Sequence, residues 1–379
     1  MRKILVFILL CCILCGTALA DSKDNISSID CGNGLIFVIM DDGKLIAWGD
    51  NSNGLIPADN NHKYIKYENR CLIMSSAESV YVGENCVLAV NDSGELFGWG
   101  HDGDMGLLCG KVDGDISKEP VKLMDNVVCA SSGKEHNAAV TSDGELYTWG
   151  KDCHGSLGIG SVNGSSFPKP HKVMDSIASV HCFGNCTLAI TKDGRLYAWG
   201  EEFGFNKPQQ ITSSVVDVAE ACNKTFLVQN TANQVQLLQC NTMKDGTPSI
   251  KLTPPVVSNI VSITDYGYIR NDGTLWMCKS DSHNTFVPSA ERVKMAQCCD
   301  MNYRAYVSLR TLHTERTELN TFIKDESYSI SDISLPITPT SAGVFVTIFF
   351  ALLIAAITVI AIEKPAFYIR LIEEIKSHL

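Results

Sequence analysis

The dipeptide Trp-Gly recurs four times at a nearly constant spacing of 51, 50 and 50 residues. Each copy ends the same short sequence motif. The motif begins with a turn glycine, which is Gly43, Gly94, Gly144 or Gly194 in the four copies. The four pairs are Trp48-Gly49, Trp99-Gly100, Trp149-Gly150 and Trp199-Gly200. A fixed period of this size indicates a repeated supersecondary unit that stacks against its neighbours. The chain is therefore predicted to fold into several copies of one structural unit.

The composition of the unit predicts a β-hairpin. An apolar run of strand-forming residues precedes each turn, as at 35–40 and 186–191, and a second run leads to the tryptophan. Between the runs stands Asp-Gly or Ser-Gly, in which glycine supplies the positive φ that tight hairpin turns require. The chain is therefore predicted to be all-β.

Beyond the tryptophan, the third copy continues with Gly155, Leu157, Gly158 and Gly160. This stretch resembles the repeat of the RCC1 family, W-G-x4-G-x-L-G-x-G. The first copy keeps Gly54 and the second has Met105 where the outer glycine belongs, whereas the fourth has lost most of the loop. The resemblance implies a seven-bladed β-propeller.

Three weaker hairpin patterns follow the four clear copies, at 225–240, 266–278 and 303–323. Together they predict seven blades, and a six-bladed ring remains the alternative. We interpret the repeated Trp, Leu and Gly residues as packing and turn residues rather than as a binding site.

Both ends of the chain predict membrane insertion. Residues 1–20 have the layout of a signal peptide cleaved between Ala20 and Asp21. Residues 342–362 form a run of 21 uncharged, mainly apolar residues, which is long enough for a transmembrane helix. Basic residues after this run predict a cytosolic tail, 363–379, following an ectodomain, 21–335, and a linker, 336–341. A cleaved lipid-anchor signal is disfavoured because the chain ends in charged residues.

The charge balance disfavours nucleic acid as a partner. The net charge is −11 and no cluster of Lys or Arg interrupts it, whereas phosphate contact needs concentrated positive charge. The best-known RCC1 protein is a nuclear exchange factor for the GTPase Ran, and an exported propeller is not expected to share that activity.

Cysteines and sequons fit an exported ectodomain. Thirteen of the sixteen cysteines follow the leader, and an oxidising compartment predicts disulfides or buried thiols for them. Their spacing does not repeat as zinc ligands do. Five sequons occur, and we expect glycans at Asn25 and Asn163, because Asn185 and Asn223 fall at the start of predicted inner strands.

The sequence contains no Walker, Rossmann, Gly-x-Ser-x-Gly or His-Glu-x-x-His motif. We therefore predict no cofactor, no metal and no enzyme activity, and a lumenal or extracellular protein as partner. The rival hypothesis is an enzyme whose site lies in the central channel, with His136, His181 and Asp265 as candidates. The run His101–Asp104 is interpreted as a solvated turn, and the run Lys134–His136 is a candidate to line one face of the propeller.

The predicted tail contains Tyr368-Ile-Arg-Leu371, which is similar to the Tyr-x-x-hydrophobic signal that clathrin adaptors read. An alternative hypothesis is therefore a trafficking receptor, and an unchanged surface level of a Tyr368→Ala variant would argue against it. The same residues also fit an amphipathic helix lying at the membrane surface.

Overall fold

The structure is a computed structural model of the chain. It describes residues 26–57, 63–66, 69–111, 115–221, 224–242, 247–278, 286–290, 293–300, 303–308, 311–318 and 321–329. From residue 297 onward, the backbone alone is described. All of these residues belong to one compact unit, Met1–Ser334. Among them we find no helix with the length and apolar character that a membrane crossing requires. The predicted leader and span lie outside the described residues.

The described strands pair in chain order into antiparallel sheets. The first sheet contains β1 (Ile26–Gly32), β2 (Leu35–Met40), β3 (Leu45–Asp50), β4 (Tyr64–Ile65) and β5 (Cys71–Met74). The second contains β6 (Ala77–Val82), β7 (Cys86–Asn91), β8 (Leu96–His101) and β9 (Ile116–Met124). The third contains β10 (Val127–Ser132), β11 (His136–Thr141), β12 (Leu146–Lys151) and β13 (Ser166–Met174). The fourth contains β14 (Ile177–Phe183), β15 (Cys186–Thr191), β16 (Leu196–Gly200) and β17 (Phe205–Thr212).

The later sheets follow the same plan. The fifth contains β18 (Val215–Glu220), β19 (Thr225–Asn230), β20 (Gln234–Thr242), β21 (Pro248–Leu252) and β22 (Val257–Ser258). The sixth contains β23 (Ile260–Thr264), β24 (Gly267–Arg270), β25 (Leu275–Cys278) and β26 (Phe286–Ala290). A further sheet contains β27 (Val293–Asp300), β28 (Tyr303–Ser308), β29 (Thr311–Glu318) and β30 (Thr321–Ser329).

The chain is an all-β propeller, as the repeats predicted, but the predicted number of blades needs correction. Six sheets, ending with β23–β26, are blades whose side-chain packing the structure describes. The sheet formed by residues 293–329 is described almost entirely by its backbone. The number of blades with described packing is therefore six rather than the predicted seven.

The second strand of each early blade is buried on both faces. All six residues are buried in β2, β7, β11 and β15. These strands contain mainly apolar and small uncharged residues, because each blade is covered by the blade before it and the blade after it. The core is thus a series of apolar layers between blades.

The repeated turn glycine joins each blade to the next one. The carbonyl oxygen of Gly43 accepts the N–H of Ala77, the first residue of β6, at 2.8 Å. The equivalent carbonyls of the next three copies accept the N–H groups of Val127, Ile177 and Val215 at 2.8 to 2.9 Å. Gly43 has φ of 80°, so a side chain here would be strained as well as close to the backbone of Ser75.

The repeated tryptophan makes a second link between blades. Trp99 is fully buried, and its indole N–H donates to the carbonyl oxygen of Leu55 in the preceding blade at 2.7 Å. Trp149 and Trp199 donate to Leu107 and Ser156 in the same way, each at 2.8 Å. Trp48 is also buried. Gly49 follows Trp48, and Gly100, with φ of 114°, follows Trp99. Both glycines pass so close to the backbone of their own hairpin that a Cβ atom would collide with it.

One of the described cysteines, Cys31, is disulfide-bonded. Among the others, free thiols are present at Cys71, Cys86, Cys109, Cys129, Cys153, Cys182, Cys186 and Cys240. Burial raises the pKa of the Cys182 thiol to about 12, so this group stays protonated and unreactive at neutral pH.

We predict that Trp99→Phe destabilises the propeller more than the same change at Trp149. Without Trp99, the buried Leu55 carbonyl loses the donor that the structure shows for it, at a cost of about 1–3 kcal/mol. The Leu107 carbonyl keeps a second donor, Asn137 Nδ2 at 3.0 Å, when Trp149 is replaced. Urea unfolding followed by circular dichroism measures the two losses.

Trp276→Phe provides the control. This half-buried indole donates to Thr274 in its own turn at 2.9 Å rather than to another blade, so its loss should cost least. Equal losses at all three positions would show that the link between blades contributes nothing to stability.

Candidate functional site: the central channel

The inner strands of the blades surround a central channel. Beside the turns that end these strands, it opens into a cavity of about 420 Å³. Polar and ionisable side chains from six blades line it: Asp30, Tyr81, Glu84, Ser131, Ser132, His181, Glu220 and Asp265. Four of these eight side chains are carboxyl groups, and no Lys or Arg is among the residues that line the cavity.

Three of the channel side chains link neighbouring inner strands. Asp30 accepts the N–H of Val82 at 2.8 Å, and Ser131 accepts the N–H of Cys182 at 2.9 Å. Asp265 accepts the N–H of Glu220 at 2.9 Å. An inner strand is an edge strand of its sheet, so some of its backbone groups need partners from outside that sheet. These side chains supply such partners across the gaps between blades.

Burial strongly raises the pKa values of carboxyl groups in the channel. Burial, with smaller contributions from the nearby carboxylates of Glu220, Asp30 and Asp217, raises the pKa of Asp265 to about 8. Burial also raises the pKa of Glu220. Asp265 is therefore largely protonated at neutral pH, because ionisation would place another charge among carboxylates in a poorly solvated space.

His181 and Asp217 form a second ionisable pair, which joins the fourth and fifth blades. Their Nε2 and Oδ1 atoms lie 3.4 Å apart. Burial lowers the pKa of His181 and raises that of Asp217, and each partner opposes the shift of the other. His181 also stacks on Phe183, with ring centroids 6.1 Å apart.

Of the three channel candidates from the sequence, the structure brings two together. His181 and Asp265 line the cavity. His136 instead lies fully buried between blades, where its Nε2 is 2.8 Å from Thr187 Oγ1. Burial lowers the pKa of His136 to about 4, so it is neutral at physiological pH and packs as a core residue.

The two ionisable runs noted in the sequence lie outside the cavity. Asp102 accepts the N–H of Leu108 at 2.8 Å and so shapes the outer loop of its blade. Asp104 lies 3.7 Å from Lys151, which also pairs with Glu135 at 3.6 Å. The N–H of Lys134 donates to the carbonyl of Gly184 at 2.8 Å. These runs act as turns and links, and no metal-binding group of His, Cys, Asp and Glu occurs among the described residues.

Comparison with known families agrees with this geometry. A family model described as the regulator of chromosome condensation (RCC1) repeat matches residues 143–190. A second model with the same description matches residues 26–55 and 127–156. The chain carries RCC1 repeats. The matched segments include the hairpin turns and tryptophans of the first and third blades.

Solved RCC1-like propellers share the fold at low sequence identity. Prp20p from Saccharomyces cerevisiae superposes with a TM-score of 0.59 at 15% identity, covering 73% of this chain and 81% of Prp20p. Human WBSCR16 superposes with a TM-score of 0.57 at 18% identity, covering 73% of this chain and 86% of the human protein. At these identities the likeness extends to the fold alone.

The RCC1 repeat contains a spacing that the sequence reasoning missed. Asp30, Tyr81, Ser131 and His181 each lie 13 residues before the turn glycine of their repeat. Counting back from Gly43, Gly94, Gly144 and Gly194 would have located these channel residues. Asp217 and Glu220 belong to a blade without the turn glycine, so no such signal marks them.

The predicted processing and modification residues fall in different places. Asn163 is exposed in the outer loop of the third RCC1 repeat. Asn185 is half-buried just before β15 and donates to Glu201 at 2.9 Å. The other predicted residues lie outside the described part of the chain: Ala20, Asp21, Asn25, Asn223, Tyr368 and Leu371.

We predict that Asp265→Asn changes the pH dependence of stability. A carboxyl whose pKa rises from 3.8 in the unfolded chain to about 8 in the fold stabilises the folded state below about pH 4. That contribution is lost as the pH rises to 8. Asparagine cannot ionise and keeps an oxygen for the N–H of Glu220. Relative to wild type, the melting temperature of the variant should therefore rise by about 2 °C or more between pH 5 and pH 8.

Asp193→Asn is the matched control. The side chain of Arg195 lowers the pKa of this exposed carboxyl, so it stays ionised from pH 5 to pH 8. Its difference from wild type should be constant over that range. A constant difference for Asp265→Asn as well would contradict the protonated state proposed for the channel.

Proposed function

We propose that this chain is a non-enzymatic RCC1-like propeller that binds another protein on the lumenal or extracellular side of a membrane. One observation carries the proposal. Large aliphatic side chains are exposed where the inner strands begin: Val128 is 54% exposed, Val216 51% and Val261 59%. These valines serve no packing need of the propeller, and exposed apolar groups clustered on one face are typical of protein-binding surfaces.

The channel supports a structural rather than a catalytic role for the polar groups at its centre. Asp30, Ser131 and Asp265 accept backbone N–H groups of neighbouring blades. A catalytic acid or base at these positions would have to release a hydrogen bond that joins two blades. We therefore assign the binding function to a face of the propeller, because function depends on the residues of a particular site and not on the fold itself.

The membrane attachment in this proposal rests on the sequence. A signal peptide at 1–20 and a span at 342–362 would place the propeller outside the cytosol as a single-pass type I protein. The trafficking-receptor alternative depends on Tyr368 and Leu371.

Relatives supply a precedent for protein binding and nothing more specific. The solved relative Prp20p has been characterised for its binding to Gsp1p and histones. This chain shares only the fold with Prp20p, so we transfer the general capacity of the propeller to bind proteins. We do not transfer those partners or a nucleotide-exchange activity.

We also propose that the sheet formed by residues 293–329 completes a seven-bladed ring. Its first strand, β27, lies against β1 of the first blade and against β24 of the sixth. The N–H of Val293 donates to the carbonyl of Gly273 at 2.9 Å, which repeats the link between blades seen at Gly43. A crystal structure of the ectodomain, with six or seven sheets around the channel, decides the number.

We predict that Asn163 carries a glycan when the full chain is expressed in cells. Its exposed loop is accessible to the lumenal transferase only if the propeller is translocated. Enzymatic deglycosylation should therefore increase the gel mobility of wild type, and Asn163→Gln should remove part of that increase.

Ser93→Ala is the control, because it destroys the sequon of Asn91, which is 7% exposed and lies at the end of β7. That variant should keep the wild-type glycan pattern. Wild-type mobility that is insensitive to deglycosylation would contradict a lumenal propeller.

We further predict that the soluble ectodomain, residues 21–335, captures a specific lumenal or extracellular protein after cross-linking on living cells. The matched bait is the same ectodomain carrying Trp99→Phe, heated above its melting temperature. A protein recovered equally by both baits is not a specific partner. Failure of the native bait to recover any specific protein from several cell types would contradict the binding function.

A further inference from the structure

Every blade begins with the same irregularity in its inner strand. The pairing between the first two strands shifts by one residue, so that the second residue of the inner strand has no partner opposite it. Such a bulge leaves one residue unpaired and redirects its side chain. The six bulge residues with described side chains are Ser27, Glu78, Val128, Ala178, Val216 and Val261. We call the surface that they form the bulge face.

Four consecutive blades present an aliphatic side chain on the bulge face. Val128, Ala178, Val216 and Val261 are all exposed, and their inner strands are neighbours around the channel. The residues directly before them, such as Val127 and Val215, are buried. The bulge therefore separates an apolar residue needed by the core from one that faces water. These four residues form an aliphatic arc over the third to sixth blades.

The first two blades contribute acidic groups to the bulge face. A cleft of about 330 Å³ lies between them and is lined by Asp41, Asp42, Glu78 and Asp92, beside Ser27. Lys44 pairs with Asp42. Among the residues that the structure describes, no basic side chain pairs with the other three carboxylates. The cleft therefore has excess negative charge and room for the end of a long cationic side chain.

We infer that the bulge face binds a basic segment of a partner protein, with a Lys or Arg in the acidic cleft and aliphatic residues on the arc. This inference rests on the proposed function and names the face and the chemistry of the partner. Charge complementarity selects this occupant, because aliphatic contact supplies affinity while the carboxylates select cationic neighbours. In a symmetric dimer formed through this cleft, the same carboxylates would face one another and repel.

Synthetic peptides test the chemistry directly. A fluorescein-labelled decapeptide that alternates lysine and valine should bind the ectodomain, as measured by fluorescence anisotropy. Matched peptides that alternate lysine with serine, or glutamate with valine, should bind at least about tenfold more weakly. Equal binding of the lysine–serine peptide would mean that charge alone attracts the probe and would overturn the role of the arc.

Variants locate the site on the propeller. The double variants Val216→Ser with Val261→Ser, and Glu78→Gln with Asp92→Asn, should each weaken binding of the lysine–valine peptide about tenfold. The control for the arc is Val162→Ser, a valine 61% exposed in an outer loop. The control for the cleft is Asp104→Asn with Asp115→Asn, which removes two exposed carboxylates from an outer loop. Both controls should bind as wild type does.

The natural partner separates this inference from the proposed function. Cross-links from a captured partner should fall on the bulge face, next to Lys or Arg residues of the partner. A specific partner whose cross-links map elsewhere would overturn the inference and leave the binding function intact. Sedimentation that shows a dimer lost in Val216→Ser with Val261→Ser would instead assign the face to a second copy and overturn the inference. Absence of any specific partner would overturn both.

Discussion

Each blade of this propeller depends on its neighbour for hydrogen bonds that its own strands cannot make. In the second to fifth blades, the N–H of the first residue in the inner strand donates to the carbonyl oxygen of the turn glycine in the preceding blade at 2.8 to 2.9 Å. The indole N–H of Trp99 is satisfied in the same direction by Leu55. A blade is therefore incomplete alone, and the ring is the smallest unit that pairs these buried groups.

The channel extends the same dependence to side chains. Asp30 and Asp265 lie where an acid or a base of an enzyme could stand, and each accepts a backbone N–H from another blade. Burial keeps Asp265 largely protonated at neutral pH by raising its pKa to about 8. The perturbed acidity at the centre of the molecule thus follows from packing carboxylates into a narrow, shared space.

The two ends of the inner strands consequently have different chemistry. Where the strands end, the cavity is polar and its side chains are committed to links between blades. Where they begin, the bulges direct aliphatic side chains into water, as at Val216 and Val261. Since the ring already satisfies its core without them, these valines are available to a partner, and the acidic cleft between the first two blades restricts which partner fits.

The repeats alone determined the class of fold, because Asp-Gly turns and Trp-Gly pairs encode local geometry that every copy must reproduce. They did not determine the number of blades with certainty, since the later copies lack the turn glycine or the tryptophan. Under the rival enzyme hypothesis the sequence named His181 and Asp265 as channel candidates, together with His136, which instead packs between blades beside Thr187. It missed Asp217, Glu220 and the bulge face entirely. Which side chains meet in the channel, and which residue of an apolar run is turned outward, depends on register shifts between strands and on contacts between residues about 50 positions apart. Only the tertiary structure decides these features, because hydrogen bonds and packing contacts between blades join residues of different repeats and cannot be inferred from the sequence of one repeat.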